Sequence, residues 1–353
     1  MEIEKSEMIK RFSLLERAIP GKATIPCTEG ILVKDGRMCT NDLQNAISIL
    51  APEADGECFI IPKKAIAMVK SLPSGPIQIL PQSDGTLTIK AGTIRTKIKT
   101  FPMDDFPESF TIEASSEETV DFSDLTGMLA NVAYATAANE ARPIHTGVLL
   151  DGDGTNLNVV ACDGFRCAWA HTMHSGTFKM VIPKPTVKLL LSIKQGGPLN
   201  ISTKGEKAIF EIGDCKIYSR LLSGDFLDYR KVFPSRQRSI GIDRGKLLDA
   251  MSRILICSDD AHKGRVEMDG SDTILQLKCN SSSADYIEQL EVQDRFLSDM
   301  RIMFNAAYVV DALKSYDGPV IDCYFGAKSS EPLILDDGAM KALLLPVRIA
   351  DGK

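Results

Sequence analysis

Three stretches decide the fold: IIPKKAIAMVKSLPSGPIQIL at residues 60–80, VIPKPTVKLLLSIKQGGPLNIS at 181–202 and MFNAAYVVDALKSYDGPVIDCY at 303–324. Each reads as a short amphipathic helix that runs into Gly-Pro and then an apolar strand. The Gly-Pro pairs are Gly75-Pro76, Gly197-Pro198 and Gly318-Pro319, spaced 122 and 121 residues apart. The first two helices open alike, at Ile61-Pro62-Lys63 and Ile182-Pro183-Lys184, and the third opens at Phe304-Asn305. Proline suits the first helical turn, where its missing N–H leaves no bond unmade. A recurrence at fixed period outranks any single motif, because it sets the architecture.

Working outward, more landmarks keep the same period. Asp35-Gly36, Asp151-Gly152 and Asp269-Gly270 are spaced 116 and 118 residues apart, each after an apolar stretch. Asp-Gly tolerates the positive φ angles of a tight turn, so each predicts a hairpin. Another helical segment opens each unit, at about 5–18, 122–137 and 242–257. Met8, Ile9, Phe12 and Leu15 in the first, and Leu247, Leu248, Met251, Ile254 and Leu255 in the third, follow helical periodicity. Ile77 and Ile79, then Leu87 and Ile89, alternate as strands of antiparallel sheets do. The expected fold class is α+β: three repeated domains, 1–116, 117–237 and 238–353, each with two helices and antiparallel sheets. The plain alternative is three unrelated α+β domains of similar size.

The chain has 353 residues, 44% hydrophobic and 25% charged, enough to bury several cores. No apolar run approaches the length of a membrane span. The first ten residues lack the apolar centre of a signal peptide, so a cytoplasmic protein is expected. Nine cysteines are scattered, at 27, 39, 58, 162, 167, 215, 257, 279 and 323, with no Cys-x-x-Cys; this predicts reduced thiols.

Net charge is −6 and the pI about 5.4. The six helical segments nevertheless carry +8, which leaves −14 for the strands and loops. Lysine and arginine gathered on helices can meet phosphate without reading sequence, although lysines also favour solvated helix faces in general.

The sequence carries few signs of catalytic or metal chemistry. There is no Walker-type loop, no Gly-x-Ser-x-Gly and no His-Glu-x-x-His. Of the four histidines, His171 and His174 stand near Cys167, but this spacing is not a zinc pattern. No metal, no cofactor and no catalytic residue is expected.

At Ala161-Cys162-Asp163-Gly164-Phe165-Arg166 the sequence resembles bacterial DNA polymerase III β sliding clamps. Arg142-Pro143-Ile144-His145-Thr146-Gly147-Val148-Leu149, the 224–230 stretch GDFLDYR and Leu345-Pro346-Val347-Arg348-Ile349 resemble further family segments in the same order. Asp105-Phe106-Pro107 resembles the close of the first domain. The resemblance spans the whole chain. It implies a DNA clamp (processivity) fold that assembles as a head-to-tail homodimer, a ring with its helices toward the hole. The ring would encircle double-stranded DNA and tether the replicative polymerase without catalysing anything itself.

The resemblance also implies residue roles. Lys22, Lys63, Lys64, Arg142, Lys184 and Lys188 would lie near DNA. Thr96 and Ile98 would meet Leu255 and Ile256 of a second copy, with threonine where the family usually has an apolar residue. An apolar cleft would take short peptides from the DNA polymerase III alpha subunit, the clamp loader complex, other polymerases and repair proteins. Its implied lining is His145, Cys162, Gly164, Phe165, Arg166, Cys167, Pro234, Leu343, Leu345, Pro346, Val347 and Arg348. His145, Phe165 and Cys167 depart from the family's usual residues. Two other classes stay open at this level: a protein-interaction scaffold that never encircles DNA, and an enzyme with a site around Cys167 and His171.

Overall fold

The computed structural model describes residues 1–107, 112–138, 142–233, 239–259, 264–296, 299–326 and 328–347. Its α-helices are α1 (Lys5–Leu15), α2 (Lys63–Ser71), α3 (Phe122–Val132), α4 (Lys184–Leu190), the single turn α5 (Tyr229–Val232), α6 (Arg244–Cys257) and α7 (Ala306–Leu313). Apart from α5 they fall two to each repeat, in the six expected places. Pro62 and Pro183 stand one residue earlier than expected, ending the strands Cys58–Pro62 and Thr177–Pro183. They remain paired there, Pro62 opposite Gly30 and Pro183 opposite Gly147, and proline then stops the ladder so that the helix begins. In the third repeat an asparagine does this work. Asn305 ends the strand Met300–Asn305 and caps α7, its Oδ1 accepting from Ala307 N at 2.9 Å.

Each repeat is itself double: strand, helix and three strands, twice over. In the first, Glu2–Glu4 and α1 lead to Gly30–Lys34, Arg37–Asn41 and Asn45–Leu50. Then Cys58–Pro62 and α2 lead to Pro76–Pro81, Thr86–Ala91 and Ile94–Lys99. The opening strand of each half pairs with the other half, Glu2–Glu4 with Pro76–Pro81 and Cys58–Pro62 with Gly30–Lys34.

The chain forms two compact units, one of residues 1–126 and 185–221, the other of 127–184 and 222–353. The first contains an eight-stranded antiparallel sheet. Four strands come from the first repeat and four from the second, and the seam runs between Asn45–Leu50 and Cys215–Arg220. The second unit has an eight-stranded sheet of the same design, with its seam between Arg166–Met173 and Met340–Leu344. The middle repeat is therefore divided between the units, because ladder hydrogen bonds cross the repeat boundaries. Each unit also has a four-stranded sheet, with Ile94–Lys99 an outer strand in the first and Asp285–Glu291 an outer strand in the second, each paired along one edge.

The helices bury most of the residues their periodicity selects: Met8, Phe12 and Leu15 of α1 and Leu247, Met251 and Ile254 of α6, with Ile9, Leu248 and Leu255 half-buried; α2 buries Ile66 and Val69. Each such side chain contributes about 1.5–3 kcal/mol on leaving water.

The Asp-Gly reading holds only once. Asp35 and Gly36 have φ of 49° and 67° and turn a tight hairpin. Asp151-Gly152 and Asp269-Gly270 instead lie inside the strands Gly147–Asp153 and Arg265–Ser271. Their glycines serve packing: a Cβ would come within 2.8 Å of the Phe178 ring at 152 and 2.5 Å of the Phe296 ring at 270. An aromatic side chain lies flat against the strand, and only glycine leaves room for it.

One turn recurs in all three repeats. Asp163 N donates to Arg166 O at 3.2 Å, while Asp163 Oδ1 accepts from Phe165 N and Arg166 N at 2.9 and 3.0 Å. Asp42 makes the same bonds with Gln44 and Asn45, and Ser281 with Ser283 and Ala284 through its hydroxyl. A short polar side chain that accepts from the N–H groups two and three residues on fixes the turn in each case.

Candidate functional site

The second repeat's copy of this turn carries the candidate cleft. It joins the strands Asn156–Cys162 and Arg166–Met173, and Met340–Leu344 pairs alongside with Arg166 opposite Leu344 and Cys167 opposite Leu343. Beyond that ladder Leu345 N donates to Phe165 O at 2.9 Å, which holds the C-terminal segment against the turn. Gly164, at φ 92°, gives the turn its left-handed residue. Leu43 takes the same place in the first repeat at φ 73°, so the geometry favours glycine without demanding it.

Beneath the turn lies an apolar cluster of Leu149, Val160, Cys162, Cys167, Val181, Phe226, Tyr229, Ile334 and Leu343. The segment from Leu222 to Phe233 folds over it. Tyr229 hydroxyl donates to Asp151 Oδ2 at 2.8 Å, and Arg230 bridges Asp151 and Asp153 at 3.0 and 2.8 Å. The backbone N–H of Asn156 first, then that of Thr155 with Asn158 and Arg230, holds the Asp153 carboxyl down at about 2 against the opposing effect of burial. Trp169 packs edge-on against Tyr229 and Phe233, its Nε1 donating to Asn158 Oδ1 at 3.0 Å. His145 is buried edge-on to Phe226, and burial first, then the nearby Arg142 charge, lowers its pKa.

Two large apolar side chains stay in solvent above this floor: Phe165, 62% exposed, and Leu345, 42% exposed. A rigid turn that presents a bare phenylalanine beside a covered apolar floor suits a few apolar anchors of an extended chain.

Arg166 belongs to the scaffold of the cleft. Its guanidinium pairs with Asp163 at 3.0 Å and Asp311 at 2.7 Å and lies over the rings of Tyr308 and Tyr134 at 4.3 and 5.2 Å. Burial opposes its charge, but the two carboxylates outweigh burial and raise its pKa. Sequence reasoning missed Tyr134, Tyr308 and Asp311. Tyr308 and Asp311 are three apart on α7, so they share a helix face, which was the available signal.

The described residues also place the rest of the implied lining. Pro346 and Val347 follow Leu345, with Val347 N donating to Met303 O at 2.7 Å. Pro234 and Arg348 lie outside the described residues. Cys167 faces Cys162 and His171 faces Asn158 across the hairpin. No group of three His, Cys, Asp or Glu among the described residues is placed to hold a metal ion.

Lys63 and Lys64 are the first two residues of α2 and are exposed, as is Lys22. Lys63 Nζ donates to Pro20 O at 2.7 Å, which draws together the loop bearing Lys22 and the head of α2. The first turn of α2 has no acidic residue. Two lysines at the positive end of a helix dipole oppose the usual bias, so helix stability does not account for them. Lys188 is exposed on α4, one turn from the half-buried Lys184, and Arg142 is exposed ahead of the turn Pro143–Thr146. Other helix cations are taken up internally: Lys5 by Leu72 O, Arg11 by Glu53, Lys70 by Glu16 at 2.6 Å.

Three family models match in sequence, those for the N-terminal, central and C-terminal domains of the DNA polymerase III beta subunit, at residues 1–111, 119–228 and 230–348. The chain belongs to the DNA polymerase III beta subunit family. Among curated relatives, the beta sliding clamp of Vibrio cholerae is 25% identical over 366 residues, covering 98% of this chain and 99% of that protein. The beta sliding clamp of Escherichia coli K12 is 24% identical, with 89% of each chain covered. The fold matches the crystal structure of the DNA polymerase sliding clamp from Bacillus subtilis, with a TM-score of 0.91 at 20% identity over 99% of this chain and 98% of that one. The DNA polymerase III subunit beta of Pseudomonas aeruginosa gives 0.91 at 22% identity over 99% and 100%.

The outer strands Ile94–Lys99 and Asp285–Glu291 carry opposite charge. Ile94–Lys99 carries Arg95, Lys97 and Lys99, and Asp285–Glu291 carries Asp285, Glu288 and Glu291. Each also bears one exposed isoleucine, Ile94 on the first and Ile287 on the second, and Ile256 near the end of α6 is exposed as well. Of the implied contact residues, Ile256 is 83% exposed, Leu255 and Thr96 are half-buried, and Ile98 is buried opposite Leu87 in its own sheet. Ile94, Thr96 and Ile98 share one face of the strand, opposite Ala91, Ile89 and Leu87; Ile98 is covered there, while Ile94, which begins the strand and which the sequence reading did not name, is exposed.

Proposed function

We infer that this beta subunit is a DNA sliding clamp: it encircles duplex DNA, slides along it and tethers the replicative polymerase, which supplies processivity. The observation that carries the reading is the pair of open, oppositely charged outer strands in a chain of this family. Unpaired edges are a liability that proteins cover. Here the basic edge of one copy accepts the acidic edge of a second, and the second contact of the same kind closes a head-to-tail homodimer into a ring. Lys22, Lys63, Lys64, Arg142, Lys184 and Lys188 face the DNA and hold it by sequence-independent phosphate contacts. A closed ring cannot leave sideways, so weak contacts suffice and sliding is preserved.

The cleft around Phe165, Leu345, His145 and the Cys162–Cys167 floor takes short apolar peptides. Polymerase III alpha, the clamp loader and other polymerases and repair proteins dock there in turn. A polymerase docked on the ring meets its template at high effective concentration. The role is non-catalytic and cytoplasmic. Two measurements test it together: a solution mass near twice 38.5 kDa, about 77 kDa, and loader-dependent retention on nicked circular plasmid that ends when the plasmid is linearised. Retention that survives linearisation refutes encirclement and leaves the scaffold reading.

A further inference from the structure

We propose that Cys162 and Cys167 form a redox modification site, in which a hydroperoxide converts the two thiols to a reversible disulfide that contracts the floor of the peptide cleft. The effect on peptides rests on the cleft reading above; the disulfide chemistry does not.

The geometry is that of a pair ready to close. Both thiols are free, and the two residues face each other on the last rung of their hairpin. Asp163 N donates to Arg166 O, so those two form the hydrogen-bonded rung and Cys162–Cys167 is the adjacent non-hydrogen-bonded one. At such rungs the Cα atoms approach to about 4.5 Å, within the roughly 4.4–6.8 Å that a disulfide spans. None of the other strand cysteines has this arrangement: Cys39 faces Leu32 and Ser48, Cys58 faces Lys34, Cys215 faces Ile212 and Ile49, Cys279 faces Tyr286, and Cys323 faces Ile240 and Leu335.

The repeats supply an internal control. The same rung is Asn41 with Ala46 in the first repeat and Asn280 with Asp285 in the third, under the same turn. The turn therefore needs no sulfur, and the second repeat alone places two thiols there, beneath Phe165. The roles also divide. The neighbouring Cys162, and then burial, push the Cys167 thiol pKa up. Cys162, the more exposed of the two, is the attacking sulfur.

Its thiolate attacks one peroxide oxygen: an S–O bond forms, the O–O bond breaks, and the departing oxide takes a proton. Cys167 then attacks the resulting sulfenic sulfur. The S–S bond forms, the S–O bond breaks, and hydroxide leaves as water with the Cys167 proton. The two thiols give up two electrons and two protons, and hydrogen peroxide becomes two waters. The sulfurs end about 2.05 Å apart. They draw together below a turn that must hold Phe165 in place, and they withdraw from Leu343 and Phe226 in the same cluster.

The test uses the full chain, reduced and then treated with hydrogen peroxide. Intact mass should fall by two hydrogens, peptide mapping should place the link between 162 and 167, and dithiothreitol should reverse it. A fluorescent peptide with two leucine anchors and one phenylalanine anchor should bind roughly tenfold more weakly after oxidation, about 1.4 kcal/mol, and recover on reduction. The Cys167→Ala variant should stop at a Cys162 sulfenic acid that dimedone traps, and its peptide affinity should ignore peroxide. Absence of the 162–167 link in the unmodified chain, or a link that leaves peptide affinity unchanged, overturns the proposal. Reduced protein that binds no peptide refutes the cleft reading and the proposed consequence with it, whereas mass and mapping decide the disulfide on their own.

Discussion

Replacing Arg166 with methionine keeps most of the side chain's length and removes its charge. The structure sets the cost. Arg166 and Asp163 are 11% and 12% exposed, so their pair is nearly dry, while Asp311 at 43% can return to water. Breaking a buried pair costs about 3–5 kcal/mol, most of it from the stranded partner. Asp163 keeps its bonds from the Phe165 and Arg166 N–H groups, which places the loss at the low end. Removing the stacking on Tyr308 adds about 1 kcal/mol, and methionine packing returns a similar amount. The expected loss is about 3 kcal/mol, with about 1 kcal/mol for Asp311→Asn. Trp169 is the single tryptophan and lies in the same unit, so its fluorescence in urea reports on that unit. The midpoint should fall by roughly 1 M or more. The double variant should lose less than the sum, with a coupling of about 1 kcal/mol or more. A loss under about 1 kcal/mol for Arg166→Met, or strict additivity with Asp311→Asn, would refute the assignment of Arg166 as the residue that holds the turn.

Four further outcomes follow from the same geometry. Ile256→Asp with Ile287→Asp should convert a species near 77 kDa to one of 38.5 kDa in sedimentation, and a mass that stays doubled refutes the edge pairing. Lys63→Glu with Lys64→Glu should weaken DNA binding and flatten its dependence on log salt by about 0.9 for each phosphate no longer neutralised, whereas an unchanged slope removes these lysines from the interface. Gly152→Ala should destabilise the protein by about 1–3 kcal/mol in urea because its methyl meets Phe178; stability equal to the parent would show that the ring moves aside freely. His145 has a lowered pKa in the fold, so below about 6.5 the unfolded chain takes up its proton first. Stability should therefore decline as pH falls from about 6.5 toward the lower folded pKa, and His145→Leu should abolish that part of the pH profile.

Spacing in the chain made the repeat legible, because Gly-Pro and the helical stripes are local signals with local causes. The exact work of a residue was less legible. Asp-Gly at 151 and 269 carries the composition of a turn, yet those glycines make room for Phe178 and Phe296, which arrive from elsewhere in the sequence. Arg166 was visible as part of a motif, but its partners on α7 lie about 145 residues away. Ile98, a contact position by analogy, is buried opposite Leu87 on the same strand face as Thr96 and Ile94, a covering that depends on the neighbouring strand. Burial at a site depends on which distant strand arrives, and a single sequence does not record that.

The shared sheets restrict how such a protein can be dissected or recombined. A gene cut after residue 237 would respect the sequence period and still leave Arg166–Met173 without its neighbour Met340–Leu344, turning an interior ladder into a sticky flank. The middle repeat expressed alone would carry two such flanks, because Cys215–Arg220 would also lose Asn45–Leu50. Fragments faithful to the period should therefore precipitate or swap strands. The two compact units are interleaved along the chain, so no single scissile point in the gene separates them.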